Sequence, residues 1–140
     1  MKKTYLQTTG RCLCGEVVYK IDGFATYQLT CYCRDCQYLS GGAPNTSFTI
    51  QDREFAILTG QLKEYSRPTD SGSKVTRYFC GNCGTLVYGK SSRWKTDVSI
   101  RVGCLDEPSV FSSQMNVWVS SAQPWHKIDT SKPTYDKGPI

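Results

Sequence analysis

Apolar and polar residues alternate over short stretches of this chain, and these stretches are rich in valine, isoleucine, threonine and aromatic residues. A period of two is typical of β-strands with one buried face. Glycine and proline residues such as Gly23, Gly60 and Pro68 separate the stretches and indicate turns. The pattern predicts a mostly β fold of short antiparallel strands. Nine segments fit it: residues 16–21, 27–31, 47–51, 55–58, 62–65, 73–79, 85–89, 98–103 and 116–119.

Helices should be short, because no stretch of about 11 or more residues repeats its apolar positions with a period of 3.6. Single helical turns are expected at residues 106–109 and 121–126, and residues 131–140 are expected to form a loose C-terminal tail. The chain has 140 residues, which fits a single domain spanning residues 1–140.

The chain has eight cysteines, and their meaning depends on the compartment. No apolar stretch reaches the roughly 18 to 20 residues of a membrane helix, and no signal-peptide core follows the basic start. We therefore expect a cytoplasmic protein without a membrane partner. In a reducing cytoplasm, clustered cysteines indicate metal binding or catalysis, whereas in a secreted chain they would indicate disulfides.

A short internal similarity organises four of the cysteines. Residues 14–19 (CGEVVY) match residues 83–88 (CGTLVY), and each copy has a second cysteine just upstream, at Cys12 and Cys80. A cysteine pair followed by glycine is typical of a zinc knuckle, because glycine permits the sharp turn that brings two sulfurs onto one ion. Two knuckles predict a structural Zn(Cys)₄ site with ligands Cys12, Cys14, Cys80 and Cys83. The alternative is two reduced, buried cysteine pairs without metal.

The third cluster has only three cysteines. In an extended segment, Cys31 and Cys33 project from one face with Cα atoms about 6.6 Å apart, and a turn brings Cys36 within reach. Three ligands and an open position are typical of a catalytic zinc, and three thiolates favour chemistry at sulfur over hydrolysis. The alternative is a metal-free redox pair, although the chain lacks a thioredoxin-like βαβ pattern. Cys104 is expected in the core, and His126 at the surface or in packing.

The overall charge does not indicate nucleic acid. The formal charge of +5 counts every cysteine as neutral. If seven thiolates bind two Zn²⁺ ions, it falls to about +2. Lysines and arginines are also scattered along the chain and form no basic block, so a nucleic-acid partner is not expected.

The three cysteine motifs together resemble the glutathione-dependent formaldehyde-activating (GFA) family, which includes centromere protein V-like proteins. The motifs span residues 10–15, 31–36 and 79–84, and the resemblance extends over residues 10 to about 128. Further matches lie at residues 40–43 (SGGA), 102–106 (VGCLD) and 124–125 (PW). Relatives often carry histidine near position 116, in the presumed pocket region, where this chain has Asn116.

The resemblance implies a β-tent fold, similar to that of Mss4-like zinc proteins, with one structural and one labile zinc. It also implies a carbon–sulfur lyase that joins formaldehyde to glutathione as S-(hydroxymethyl)glutathione. Carried over by motif, Cys31, Cys33 and Cys36 are the catalytic ligands, and the other four cysteines bind the structural ion. The alternative function is a non-catalytic zinc module that binds glutathione or a macromolecular partner. Five basic residues are candidates for binding glutathione: Arg34, Lys74, Arg77, Arg93 and Arg101.

Overall fold

The computed structural model describes residues 2–139, so the two ends of the predicted domain, Met1 and Ile140, lie outside the described residues. Nine strands form the sheet, and the one α-helix of the described residues, α1, covers Arg34–Leu39. The strands are β1 (Thr4–Arg11), β2 (Val18–Cys31), β3 (Asn45–Gln51), β4 (Phe55–Thr59), β5 (Leu62–Pro68), β6 (Lys74–Cys80), β7 (Leu86–Ser91), β8 (Asp97–Arg101) and β9 (Met115–Val117). Short 3₁₀ turns lie at Asp52–Glu54, Val102–Cys104, Pro108–Val110 and Val119–Ser121. The predicted mostly β fold with little helix is confirmed.

The sheet runs in the order β1-β2-β3-β8-β7-β6-β5, and β2 also pairs with β4 and β9. All pairs are antiparallel except β2 with β9, which is parallel. The predicted antiparallel pairing is therefore confirmed for every pair but this one. The C-terminal end of β2, which carries Cys31, is held between β3 on one side and β9 on the other.

The strands β3 and β8 have two different faces. Their apolar positions, Phe48 and Ile50 on β3 and Val98 and Ile100 on β8, are fully buried in the main core. The alternate positions on the other face are polar, as Thr49 and Ser99 show. The period of two thus places a polar surface on the back of a buried core.

The C-terminal segment is attached to the fold rather than loose. Asn116 in β9 accepts a hydrogen bond from the Tyr135 N–H at 2.9 Å and donates its own N–H to the Pro133 carbonyl at 2.9 Å. The Trp118 N–H donates to the Lys137 carbonyl at 2.9 Å. The expected loose tail is therefore corrected for residues up to 137, because the backbone of the segment pairs with β9 and the residues after it. No helix of residues 2–139 is long and apolar enough to cross a membrane.

Candidate metal centres

Four cysteines meet where two turns of the chain come together. Cys12 and Cys14 lie between β1 and β2, whereas Cys80 is the last residue of β6 and Cys83 lies between β6 and β7. The four Sγ atoms all lie within 4.8 Å of one another. Sulfurs that bind zinc at about 2.3 Å in a tetrahedron stand about 3.8 Å apart. The measured separations are 3.6 Å from Cys12 to Cys14 and 3.8 Å from Cys14 to Cys80, so the donor set fits a tetrahedral zinc.

Glycine makes both knuckles possible. Gly15 and Gly84 have φ values of +81° and +78°, a region that residues with a Cβ rarely adopt. The Gly15 N–H donates to the Cys12 carbonyl at 3.1 Å, and the Gly84 N–H donates to the Cys80 carbonyl at 2.9 Å. The two turns therefore share one geometry, as the repeated sequence predicted.

N–H groups point at the sulfurs of this cluster. The Val17 N–H donates to Cys12 Sγ at 3.2 Å. Asn82 contributes two donors, its backbone N–H to Cys80 Sγ at 3.4 Å and its side-chain amide to Cys14 Sγ at 3.3 Å. Hydrogen bonds to the charged form favour a thiolate, which is the form that binds metal. Cys12 and Cys80 are 1% and 0% exposed and belong to the main core, whereas Cys83 is partly buried and Cys14 is exposed, so the cluster lies at the edge of that core.

Thr85 supports the same cluster, and the sequence motifs gave no sign of it. Its hydroxyl lies 3.1 Å from Cys83 Sγ and accepts the Leu13 N–H at 3.1 Å, so it joins the two knuckles. Hydrogen bonding by the Thr85 hydroxyl, and next by its backbone, lowers the pKa of Cys83 to about 5. Cys83 is thereby held as a thiolate at neutral pH.

The second cluster joins the end of β2 to the start of α1. Cys31 is the last residue of β2, Cys33 is the N-cap of α1, and Cys36 lies in the first turn of that helix. Their Sγ atoms lie within 4.8 Å of one another, and no fourth cysteine, histidine or carboxylate of residues 2–139 joins the group. The Cys36 N–H donates to Cys33 Sγ at 3.4 Å. The short helix α1 therefore replaces the simple turn expected at residues 33–36.

The three thiols of this cluster influence one another strongly. Hydrogen bonds from Cys31 and Cys36 hold the pKa of Cys33 well below its usual value. The pKa of Cys31 is raised by its bonds to the other two sulfurs and by burial. Acidic groups that share one site cannot all ionise without a compensating cation. The donor set therefore fits a divalent, thiophilic metal such as zinc, which would replace the shared protons.

A groove opens beside Cys36, on the polar face of the sheet. It has a volume of about 240 Å³. Its floor comes from alternate residues of two strands, Asn45 and Thr49 on β3, and Asp97, Ser99 and Arg101 on β8. Residues of β6 and β7 and the indole of Trp94 form the remaining walls. The second cluster therefore borders a cavity of small-ligand size.

Two of the five predicted basic residues lie in this groove. Arg101 donates through Nη1 to Asn45 Oδ1 at 2.5 Å and lies 3.5 Å from Ser40 Oγ. Burial lowers the pKa of Arg101, while the nearby cysteines act to raise it. Arg77 also lines the groove, and its side chain is 14% exposed and lies 3.6 Å from a carboxylate oxygen of Asp35.

The other three predicted basic residues lie elsewhere. Arg34 hydrogen-bonds Gln37 and stacks on the ring of Tyr38. Lys74 and Arg93 are exposed and do not line the groove. Lys90, which the motifs did not single out, lies at the groove and forms an ion pair of 3.6 Å with Asp52.

Cys104, His126 and Asn116 belong to neither cluster. Cys104 is buried and donates its thiol to the Leu86 carbonyl at 3.3 Å. Both ring nitrogens of His126 are hydrogen-bonded to backbone atoms, of Gln123 at 2.8 Å and Gly42 at 2.9 Å. Both residues thus pack as the sequence predicted.

Asn116 is 3% exposed and does not line the groove beside Cys36. Its side-chain amide donates to the Asp129 carbonyl at 2.8 Å and to Thr134 Oγ1 at 3.2 Å. Asn116, which stands where relatives often carry histidine, therefore anchors the C-terminal segment.

The fold and the two cysteine clusters define a mostly β protein with two potential zinc sites. The chain belongs to the family of glutathione-dependent formaldehyde-activating enzymes, whose family model matches residues 7–121. A crystal structure of a Rhodobacter sphaeroides protein, a structural genomics target, has a similar fold. The TM-score is 0.58 and the identity 16%, over 91% of this chain and 98% of that one. The sequence has no significant match among the curated proteins.

Proposed function

We propose that this protein is a zinc-dependent carbon–sulfur lyase of the S-(hydroxymethyl)glutathione synthase type. Its substrate would be a glutathione adduct of a small aldehyde. The observation that carries the proposal is the three-cysteine cluster beside the groove, with no fourth side-chain ligand among residues 2–139. Membership of the glutathione-dependent formaldehyde-activating family supports the same reaction type.

We assign one zinc ion to each cluster. Cys12, Cys14, Cys80 and Cys83 would hold a structural ion, and Cys31, Cys33 and Cys36 would hold the catalytic one. A zinc with an open position keeps a bound thiol deprotonated at neutral pH, where a free thiol with a pKa near 8.5 is only a few per cent ionised. The cytoplasm, where thiols stay reduced, is the compartment we propose.

The reaction itself makes modest demands on the protein. The thiol gives up its proton, its sulfur adds to the aldehyde carbon with formation of a C–S bond, and one electron pair of the C=O bond moves to oxygen, which takes up a proton. The chain's contribution is to hold thiol and aldehyde together, since a positioned pair reacts faster than a free one. The groove gives the adduct a partly enclosed place beside Cys36.

The second candidate is a non-catalytic zinc module that binds glutathione or a macromolecular partner. The four-cysteine cluster fits both functions, because a structural zinc stabilises either kind of protein. The three-cysteine cluster distinguishes them, since a scaffold has no need of an incomplete ligand set next to a cavity. This favours the enzyme.

Exchange NMR at equilibrium tests the proposal, because the uncatalysed addition of glutathione to formaldehyde is already fast. We expect the zinc-loaded protein to increase the exchange rate between formaldehyde and S-(hydroxymethyl)glutathione. Cys33→Ser should abolish this increase. Cys104→Ser is the matched control: it also removes a thiol, but its hydroxyl can still donate to the Leu86 carbonyl. If glutathione binds to the wild type but the exchange rate does not change, the enzymatic function is wrong for this adduct, and the non-catalytic zinc module is the function that remains.

A further inference from the structure

We propose that Arg101 and Arg77 form the subsite that binds a carboxylate of the substrate, at the cysteine end of the groove. This inference rests on the proposed function, because it assigns the groove to the same reaction. It concerns the charge of the ligand, which the cysteines do not determine.

The first reason is the charge of Arg101. Its guanidinium lies largely buried in the groove, and its hydrogen-bond acceptors, Asn45 and Ser40, are neutral. No carboxylate of residues 2–139 lies within ion-pair distance of it. The thiolates of the second cluster offset part of its charge, and a divalent metal bound there would cancel two of their three negative charges. A largely buried guanidinium in this setting favours an additional anion in the groove.

The second reason is the arrangement around Arg77. Asp35 is 3.6 Å from Arg77 and 3.3 Å from Arg67, so a single carboxylate serves two guanidinium groups. The net charge of these three side chains is therefore +1. Arg77 and Arg101 line the same groove as Cys36. A ligand whose sulfur reaches the cluster would meet both cations.

The third reason is the position of the acid that also lines the groove. Asp97 stands four residues from Arg101 on the same face of β8, which separates their Cα atoms by about 13 Å. Asp97 is therefore too far away to pair with Arg101 at the cysteine end of the groove. Formaldehyde offers a guanidinium pair only one neutral carbonyl oxygen, whereas a carboxylate pairs with guanidinium in two parallel, charge-assisted hydrogen bonds.

The carboxylate has two possible sources, the thiol and the carbonyl compound, and each requires its own measurement. For the thiol, calorimetry measures binding of S-methylglutathione, which keeps both carboxylates of glutathione but has no thiol to ionise. For the carbonyl compound, exchange NMR compares glyoxylate with formaldehyde, using 2-mercaptoethanol as a thiol without a carboxylate. Each measurement is made on the zinc-loaded wild type, Arg101→Met, Arg77→Met and Arg67→Met.

Arg67→Met is the matched control. Arg67 contacts the same Asp35, but its side chain is 54% exposed and does not line the groove. Replacing it therefore removes one positive charge near the groove without changing the groove itself. We expect Arg101→Met to weaken the carboxylate-bearing ligand about 10- to 100-fold, the effect of losing a charge-assisted pair. Arg67→Met should change it less than about threefold. For formaldehyde with 2-mercaptoethanol, we expect the effect of Arg101→Met to be far smaller than its effect on the carboxylate-bearing ligand, because neither reactant carries a carboxylate.

A loss of S-methylglutathione binding places the carboxylate on the thiol, and a loss confined to glyoxylate places it on the carbonyl compound; both support the subsite. Unchanged values in both measurements overturn it. So does an equal loss with 2-mercaptoethanol and formaldehyde, which would show that Arg101 only supports the cluster. Arg77→Met decides the question if Arg101→Met does not fold. If the wild type catalyses no exchange but binds S-methylglutathione through Arg101, the proposed function fails and the subsite stands.

Discussion

The cysteines of this protein differ in their surroundings more than in their sequence motifs. Cys12 and Cys80 are sealed in the main core, where N–H groups of neighbouring residues bind their sulfurs. Cys33, at the start of α1, is half-buried and close to a groove. A metal ion in the core cluster would join two turns that are far apart in sequence, whereas one in the second cluster would join segments that are adjacent.

Serine substitutions should therefore have opposite effects in the two clusters. Cys80→Ser should abolish cooperative folding, because a structural zinc contributes on the order of 10 kcal/mol and a domain is stable by about 5–15 kcal/mol. Cys33→Ser should remain folded, should show a cooperative thermal transition like that of the wild type, and should lose only the second metal. Circular dichroism melts and metal analysis of both variants check this. An unfolded Cys33→Ser beside a native-like Cys80→Ser would reverse the assignment.

At the scale of elements, the alternation of apolar residues predicted the positions of most strands, but it divided one long strand into two. Gly23 indicated a turn between two predicted strands, at residues 16–21 and 27–31, yet it lies inside the single strand β2. The glycine is there for space, since a Cβ on it would come within 2.6 Å of the Glu54 Cβ. Sequence alone cannot separate a glycine needed for a turn from one needed for a close contact.

Two other elements escaped the sequence pattern for different reasons. The strand β1 was not predicted, because its eight residues are mostly polar and its signal comes only from pairing with β2. The helix α1 has six residues, too few to show a period of 3.6. The grouping of the cysteines could be predicted because zinc knuckles have fixed local spacing. The groove could not, since Arg77 and Arg101 meet only through the pairing of β6, β7 and β8.

The role of Gly23 predicts the effect of adding one methyl group. Gly23→Ala should destabilise the folded protein by about 1–3 kcal/mol, because Glu54 must move and its carboxylate accepts the N–H groups of Phe24 and Gln51. Gly103→Ala is the control, since a Cβ there meets nothing within 4 Å and its φ is not in the left-handed region. Urea unfolding of the zinc-loaded proteins measures the difference. Equal stability of the two variants would contradict the close-contact explanation.

Over the whole molecule, the sheet keeps the two cysteine clusters in different environments. Cys12 and Cys80 of the four-cysteine cluster are part of the main core, together with fully buried residues such as Val17 and Val87, whereas Cys14 lies at the surface. The second cluster packs in a smaller group with Met115 and Val117 of β9. This separation means that the second site can gain and lose its ligands without opening the main core.

The separation predicts two zinc ions per chain that leave at different rates. Four sulfurs complete the ligand set of the first site, two of them in the main core and with hydrogen-bond donors on Cys12 and Cys14, so this site should release its ion only when the domain unfolds. Three sulfurs would leave one position of their ion without a side-chain ligand, next to a groove that a competing chelator can enter. Metal analysis of freshly purified protein should give two zinc ions. Timed chelation should remove one early, with the circular dichroism spectrum unchanged, and the other together with the loss of structure. A stoichiometry fixed at one, or the release of both ions in a single phase, would contradict the two-site arrangement.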